Sequence, residues 1–204
     1  MRERMILCAA IIILVLGWSP KPAAALDAAN PAALVNSLVS EAIAEIKAPQ
    51  ESDAARAAKF RALLEAGFDI PRISRFVLGR FWNAANDEER RKFATLFEDW
   101  IVGTYGARFR AYSGQTIKVT GTRKESDVNT VVLSQFINPN APQPVKVEWH
   151  VRKESDSAYK VIDVSVEGIS MALTQRDEIA AVADRNGGTA AGLNKAMEQR
   201  LAQK

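Results

Sequence analysis

The sequence is poor in the residue types that carry most enzyme chemistry. Its 204 residues include one cysteine, Cys8, and one histidine, His150. Cys8 lies inside an N-terminal apolar run, so the rest of the chain has no thiol for a disulfide, a Cys-ligated metal or a nucleophile. A G-x-S-x-G elbow, an H-E-x-x-H helix, a P-loop and a dinucleotide fingerprint are all missing. These gaps predict no catalytic residues, no metal and no cofactor. Long apolar runs are scarce as well. The one at residues 5–17 is shorter than the roughly 20 residues a membrane-spanning helix needs.

That run reads as part of a leader. Arg2 and Arg4 precede it, Trp18, Ser19, Pro20 and Lys21 follow it, and Ala23-Ala24-Ala25 offers a small-x-small cleavage site. A signal peptide over residues 1–25 is expected, with an uncleaved anchor as the alternative. Its removal takes Arg2, Arg4, Lys21 and Glu3, so that 27 basic and 24 acidic residues become 24 and 23. A chain that close to neutrality carries no electrostatic footprint for nucleic acid. Residues 26–204 are long enough for one domain with a substantial core.

Within that domain the apolar periodicity changes once. Asn30-Pro31 opens a helix carrying Val35, Leu38, Val39, Ala42, Ile43 and Ile46, which Pro49 stops. A second helix runs from about Ser52 to Ala66, ended by Gly67, and Asp69-Ile70-Pro71 starts a third that reaches Gly79. The strongest helical signal spans residues 86–112. Asn86 and Glu89 have capping-box spacing, and Phe93, Leu96, Phe97, Trp100, Ile101, Tyr105, Phe109 and Tyr112 recur every three or four residues. After Ser113-Gly114 the period becomes two. Ile117 and Val119 mark a first strand, residues 128–137 a second, Val145, Val147, Trp149 and Val151 a third, and Ile162, Val164 and Val166 a fourth. Thr174 and Asp177 suggest the start of another helix ended by Asn186-Gly187-Gly188, and Thr189 caps a last one. Helices, four strands in an antiparallel meander, then helices define an α+β fold.

Four features invite a chemical reading. His150 falls on the polar face of its strand, the place of a solvent-facing or hydrogen-bonded histidine. Asp163 and Glu167 share a strand but are four residues apart, about 13 Å at ~3.3 Å per residue, too far for a glycosidase pair. Structural roles suit them better: Asp163 bonding a neighbouring loop, Glu167 meeting a helix N-terminus or an arginine. Asp69 reads as a cap. The run Glu88-Glu89-Arg90-Arg91-Lys92 is a solvated, mixed-charge face that could also dock a partner.

A set of residues in a fixed order then resembles a known family. Phe68-Asp69, Ile73, Leu78-Gly79 with Trp82, Glu89-Arg90, Phe93, Phe97, Tyr105 and Tyr112 precede the strands, and Val161-Ile162-Asp163-Val164 and Glu167-Gly168-Ile169-Ser170-Met171 follow. Together, over roughly residues 35–201, they are similar to the MlaC-type periplasmic phospholipid-binding proteins, also called toluene-tolerance auxiliary proteins. The chain departs from the pattern at Tyr159, where members often have Trp, at Asn83, where they have Arg, and at Arg176-Asp177-Glu178, where some carry an aromatic residue.

The resemblance implies a monomeric periplasmic carrier that takes lipid between an inner-membrane ABC transporter with a lipid-binding ring and an outer-membrane lipid acceptor complex. One branch of the family is associated with hopanoids, so the implied ligand is a phospholipid or a hopanoid. On this reading the curved sheet and the helices enclose an apolar pocket for lipid tails. Ile101, Tyr105, Phe109, Val132, Phe136, Val147 and Trp149 are the expected lining. Residues 103–109 should border the pocket, with Phe93 and Phe97 as ordinary core. Two other classes stay open: an enzyme using Asp163 or Asp69 beside Tyr105, and a lipid-free adaptor with a filled core.

Overall fold

The computed structural model describes residues 26–48, 52–106 and 114–203. The leader, Phe109 and Tyr112 lie outside the described residues. Four N-terminal elements are helical: α1 (Pro31–Lys47), α2 (Asp53–Gly67), α3 (Ile70–Leu78) and, after a 3₁₀ turn (Gly79–Phe81), α4 (Asp87–Gly106). Each begins where a short polar side chain takes an otherwise orphan N–H. Asn30 accepts from Ala33, Ser52 from Ala55 and Asp69 from Arg72.

At α4 the capping box is complete. The Glu89 N–H donates to Asn86 Oδ1 and the Asn86 N–H donates to Glu89 Oε2, both at 2.9 Å. Asn86→Ala removes one of these bonds and is expected to lower stability by about 1 kcal/mol. Urea unfolding followed by far-UV circular dichroism measures it, and an unchanged midpoint would show that the box is not what holds this helix start.

The strands form one antiparallel sheet in the order β1 (Thr116–Lys124), β2 (Asn129–Ile137), β3 (Val145–Lys153), β4 (Tyr159–Val166) and β5 (Ile169–Ser170). The expected four-strand meander therefore gains a fifth, two-residue strand. Alternation cannot reveal so short a strand. Its signal is the turn: Glu167 and Gly168 both take positive φ, 50° and 80°, the backbone of a tight hairpin. Strained there, Glu167 is held at both ends. Its carboxylate accepts from the Lys146 N–H at 2.5 Å and its own N–H donates to the Lys146 carbonyl at 3.0 Å. It meets the first turn-side residues of β3, not the helix terminus or arginine expected.

Helix α5 (Met171–Arg185) starts three residues before the expected Thr174, because Ser170 is the cap, accepting from the Leu173 N–H at 3.0 Å. Thr189 caps α6 (Ala190–Leu201) as its position predicts.

Two apolar clusters hold these layers together. One is helical: Val77, Leu78 and Phe81 meet Phe93, Leu96 and Phe97 of α4, Ile179 and Ala183 of α5, and Leu193 and Met197 of α6. The other lies where Leu34, Val35 and Leu38 of α1 press on Val132, Val151 and Val161 of the sheet. The α2–α3 junction is fastened to β4, since the Asp69 N–H donates to the Val161 carbonyl and Lys160 Nζ donates to the carbonyls of Glu65 and Ala66 that end α2.

Candidate functional site

Strand register decides which expected lining residues share a surface. Val132 stands opposite Trp149, Ser134 opposite Val147 and Phe136 opposite Val145, while Trp149 and Val147 pair onward with Val164 and Val166. Side chains alternate across a sheet, so Val132, Phe136, Val147 and Trp149 all project from one face, the face that α1 covers. The indole N–H of Trp149 donates to Ser134 Oγ at 3.0 Å, and that hydroxyl donates to the Val147 carbonyl at 3.0 Å. The indole and the hydroxyl thus satisfy each other, which leaves the surface around Trp149 apolar.

Cover over the face is uneven. Val132 is fully buried under α1, Val147 is buried and Trp149 is half-buried. Towards the far end, Phe136, Val145 and Ile117 stay half-buried.

The two described helix residues of the expected lining lie in the other layer. Ile101 packs against the helical cluster, and Tyr105, one turn on, reaches across to α5, where Gln175 Nε2 donates to its hydroxyl at 3.5 Å. The structure therefore gathers the four sheet residues on one face and sets Ile101 and Tyr105 with the helices. Helix α5 bridges the layers, packing on α3, α6 and β4. Phe93 and Phe97 are fully buried core, stacked at 5.7 Å between ring centroids.

A separate open cleft of about 560 Å³ contains none of these residues. Phe68, Ile70, Pro71, Trp82 and Ala94 are its apolar lining, and Arg90, Arg91, Glu65 and Glu98 stand around them. It lies where α2 ends, α3 begins and α4 turns its polar face outward, residues that read in sequence as caps and solvated charge. Its charges are largely matched already. Arg61 bonds Glu98 at 2.6 Å and Asp99 at 2.5 Å, and Arg90 pairs with Asp87 while lying over the Trp82 ring.

The acids considered for catalysis hold backbone. Asp69 caps α3 and also pairs with Arg72 at 2.7 Å. Asp163 accepts from the Val164 and Ala172 N–H groups at 2.8 and 2.9 Å and from Ser170 Oγ at 2.5 Å, tying β4 to the start of α5. His150 is half-buried on the polar face with Nε2 3.3 Å from Ser165 Oγ. Among the described residues, no cluster of His, Asp and Glu could hold a metal ion, and no helix is long and apolar enough to cross a membrane.

A helical layer over one face of an antiparallel sheet makes this a two-layer α+β protein. The chain superposes with a TM-score of 0.71 and 25% identity on the phospholipid-binding protein from Ralstonia solanacearum, solved in complex with a phospholipid, covering 83% of this chain and 95% of that one. Residues 36–199 match the model of the MlaC protein family, and the chain belongs to that family. It is also 29% identical over 97 residues to the intermembrane phospholipid transport system binding protein MlaC of Haemophilus influenzae. That alignment covers 47% of this chain and 45% of the relative, so it spans about half the length of the curated protein.

Proposed function

We propose that this protein is a periplasmic phospholipid carrier whose residues 26–204 form one lipid-binding domain. The observation that carries the reading is the sheet face bearing Val132, Phe136, Val147 and Trp149, mainly apolar and, among the described residues, covered by α1 at one end only. It is supported by family membership and by the likeness to a protein solved with phospholipid bound.

The physical need for such a carrier is plain. Exposing a ~16-carbon acyl chain to water costs on the order of 12 kcal/mol at ~0.8 kcal/mol per CH₂. A protein that shelters the tails against its own apolar face lowers that barrier for passage across an aqueous gap. In this reading the carrier works between an inner-membrane ABC transporter with a lipid-binding ring and an outer-membrane acceptor, with no reaction at the lipid.

Organic extraction of the purified protein followed by mass spectrometry tests the proposal. Diacyl phospholipid near one molecule per chain is expected. A polycyclic hopanoid in its place would change the cargo but keep the carrier. Protein that is reproducibly lipid-free and takes no lipid from vesicles would overturn the reading.

A further inference from the structure

The buried face of α5 holds one residue that a core would not choose. Ala172, Gln175, Ile179 and Ala183 follow one another at helical spacing and all are buried, Gln175 at 6% exposure. A leucine or isoleucine would fill that position with no polar atom to satisfy. Gln175 instead has an Oε1 with no hydrogen-bond partner among the described residues, and its Nε2 reaches Tyr105 at 3.5 Å, the outer limit of such a bond. On α3, which packs against both α4 and α5, Ser74 is fully buried and its Oγ also has no partner among the described residues. Buried polar groups left unmatched oppose folding, so each calls for an explanation.

We infer that Gln175, set against Tyr105, is a polar anchor inside the carrier that hydrogen-bonds an acceptor oxygen at the glycerol end of a bound phospholipid. The inference rests on the carrier reading above. Acyl tails offer an amide nothing, whereas the ester carbonyl and phosphate oxygens of the same molecule are acceptors only. A carboxamide meets them through Nε2, which gives one N–H to Tyr105 and has a second to give to the lipid. Residues on the sheet face shelter the tails, and the amide fixes how far the lipid enters. The position escaped the sequence reading because a single glutamine next to Arg176-Asp177-Glu178 looks like one more solvated residue.

The test compares delipidated wild-type protein with Gln175→Leu and the closer isostere Gln175→Met, loaded from vesicles of ester-linked phosphatidylglycerol or its ether-linked analogue. The analogue keeps the phosphate and lacks the carbonyls. Both variants should bind the ester lipid about tenfold more weakly, the size of one buried hydrogen bond, with thermal stability equal to or above wild type. If the carbonyl is the acceptor, wild type prefers ester over ether lipid by about the same factor and the variants lose the preference. If the phosphate is the acceptor, wild type binds both lipids alike and the variants weaken both equally. Variants that bind as tightly as wild type, or that lose binding only as they lose folded protein, overturn the anchor while leaving the carrier intact. Wild type that takes up neither lipid overturns both.

Discussion

Gly192→Ala is expected to destabilise the protein by about 3 kcal/mol, although the residue lies in a helix where alanine is ordinarily the better choice by ~1 kcal/mol. Gly192 is three residues after the Thr189 cap, in the first turn of α6. A Cβ there would collide with the Asn186 carbonyl oxygen and come within 3.0 Å of its carbon. Those are backbone atoms with little room to yield. Asn186 ends α5 with its N–H on the Ala183 carbonyl at 2.9 Å, and its side-chain amide donates to the Val182 carbonyl at 2.8 Å. Gly187 and Gly188 then turn the chain back at positive φ, and the Gly188 N–H returns to Ala183.

Relief must therefore come from α6, whose Leu193 and Met197 sit in the helical core and whose Asn194 donates to the Glu89 carbonyl at 3.0 Å. Gly121→Ala is the control, since nothing lies within 4 Å of a Cβ built there, and a change within about 0.5 kcal/mol is expected. Chemical denaturation of both variants measures the difference. A Gly192→Ala protein as stable as wild type would mean that the α5–α6 turn is looser than its hydrogen bonds imply.

That prediction marks where sequence reading stops. The Asn186-Gly187-Gly188 turn and the Thr189 cap are legible because the residue types themselves perform the local job. The collision at Gly192 is a contact between the end of one helix and the start of the next, and no periodicity records it. The same division runs through the rest of the chain. Asn30, Ser52, Asp69 and Asn86 announce their helices, and the alternation Val145, Val147, Trp149, Val151 places one face of β3 correctly, because these patterns are set by the geometry of a single element.

Strand β5 and the early start of α5 depend instead on Asp163, which lies outside both elements and gathers Ser170 and Ala172 by hydrogen bonds across several residues. The candidate site divides in the same way. Register brings Val132, Phe136, Val147 and Trp149 to one face, as alternation implies, but the partition between layers, with Ile101 and Tyr105 beside α5, comes from helix packing. Gln175 was invisible for that reason: only the fold tells a buried glutamine from an exposed one.

Phe97 and Phe136 should separate stability from lipid binding. Phe97 is 1% exposed and its ring stacks on Phe93 and on Trp100, with centroids 5.7 and 6.3 Å away. Phe97→Ala opens a cavity in the helical cluster, and a loss of about 4 kcal/mol is expected. Phe97→Leu keeps an apolar side chain there, should lose about 1.5 kcal/mol, and provides a folded variant for binding measurements. Phe136 is half-buried at the less covered end of the sheet face, so truncation removes less packing, and Phe136→Ala should lose only about 1 kcal/mol of stability. Its larger effect falls on the ligand: without that ring against an acyl chain, affinity for phospholipid should drop about fivefold, which corresponds to ~1 kcal/mol of lost apolar contact. Lipid bound per folded molecule, measured by extraction alongside the unfolding curve, gives both quantities on one sample. Phe97→Leu with full lipid and Phe136→Ala with little is the expected pattern. The reverse would place the tails among the helices and leave the sheet face as ordinary core.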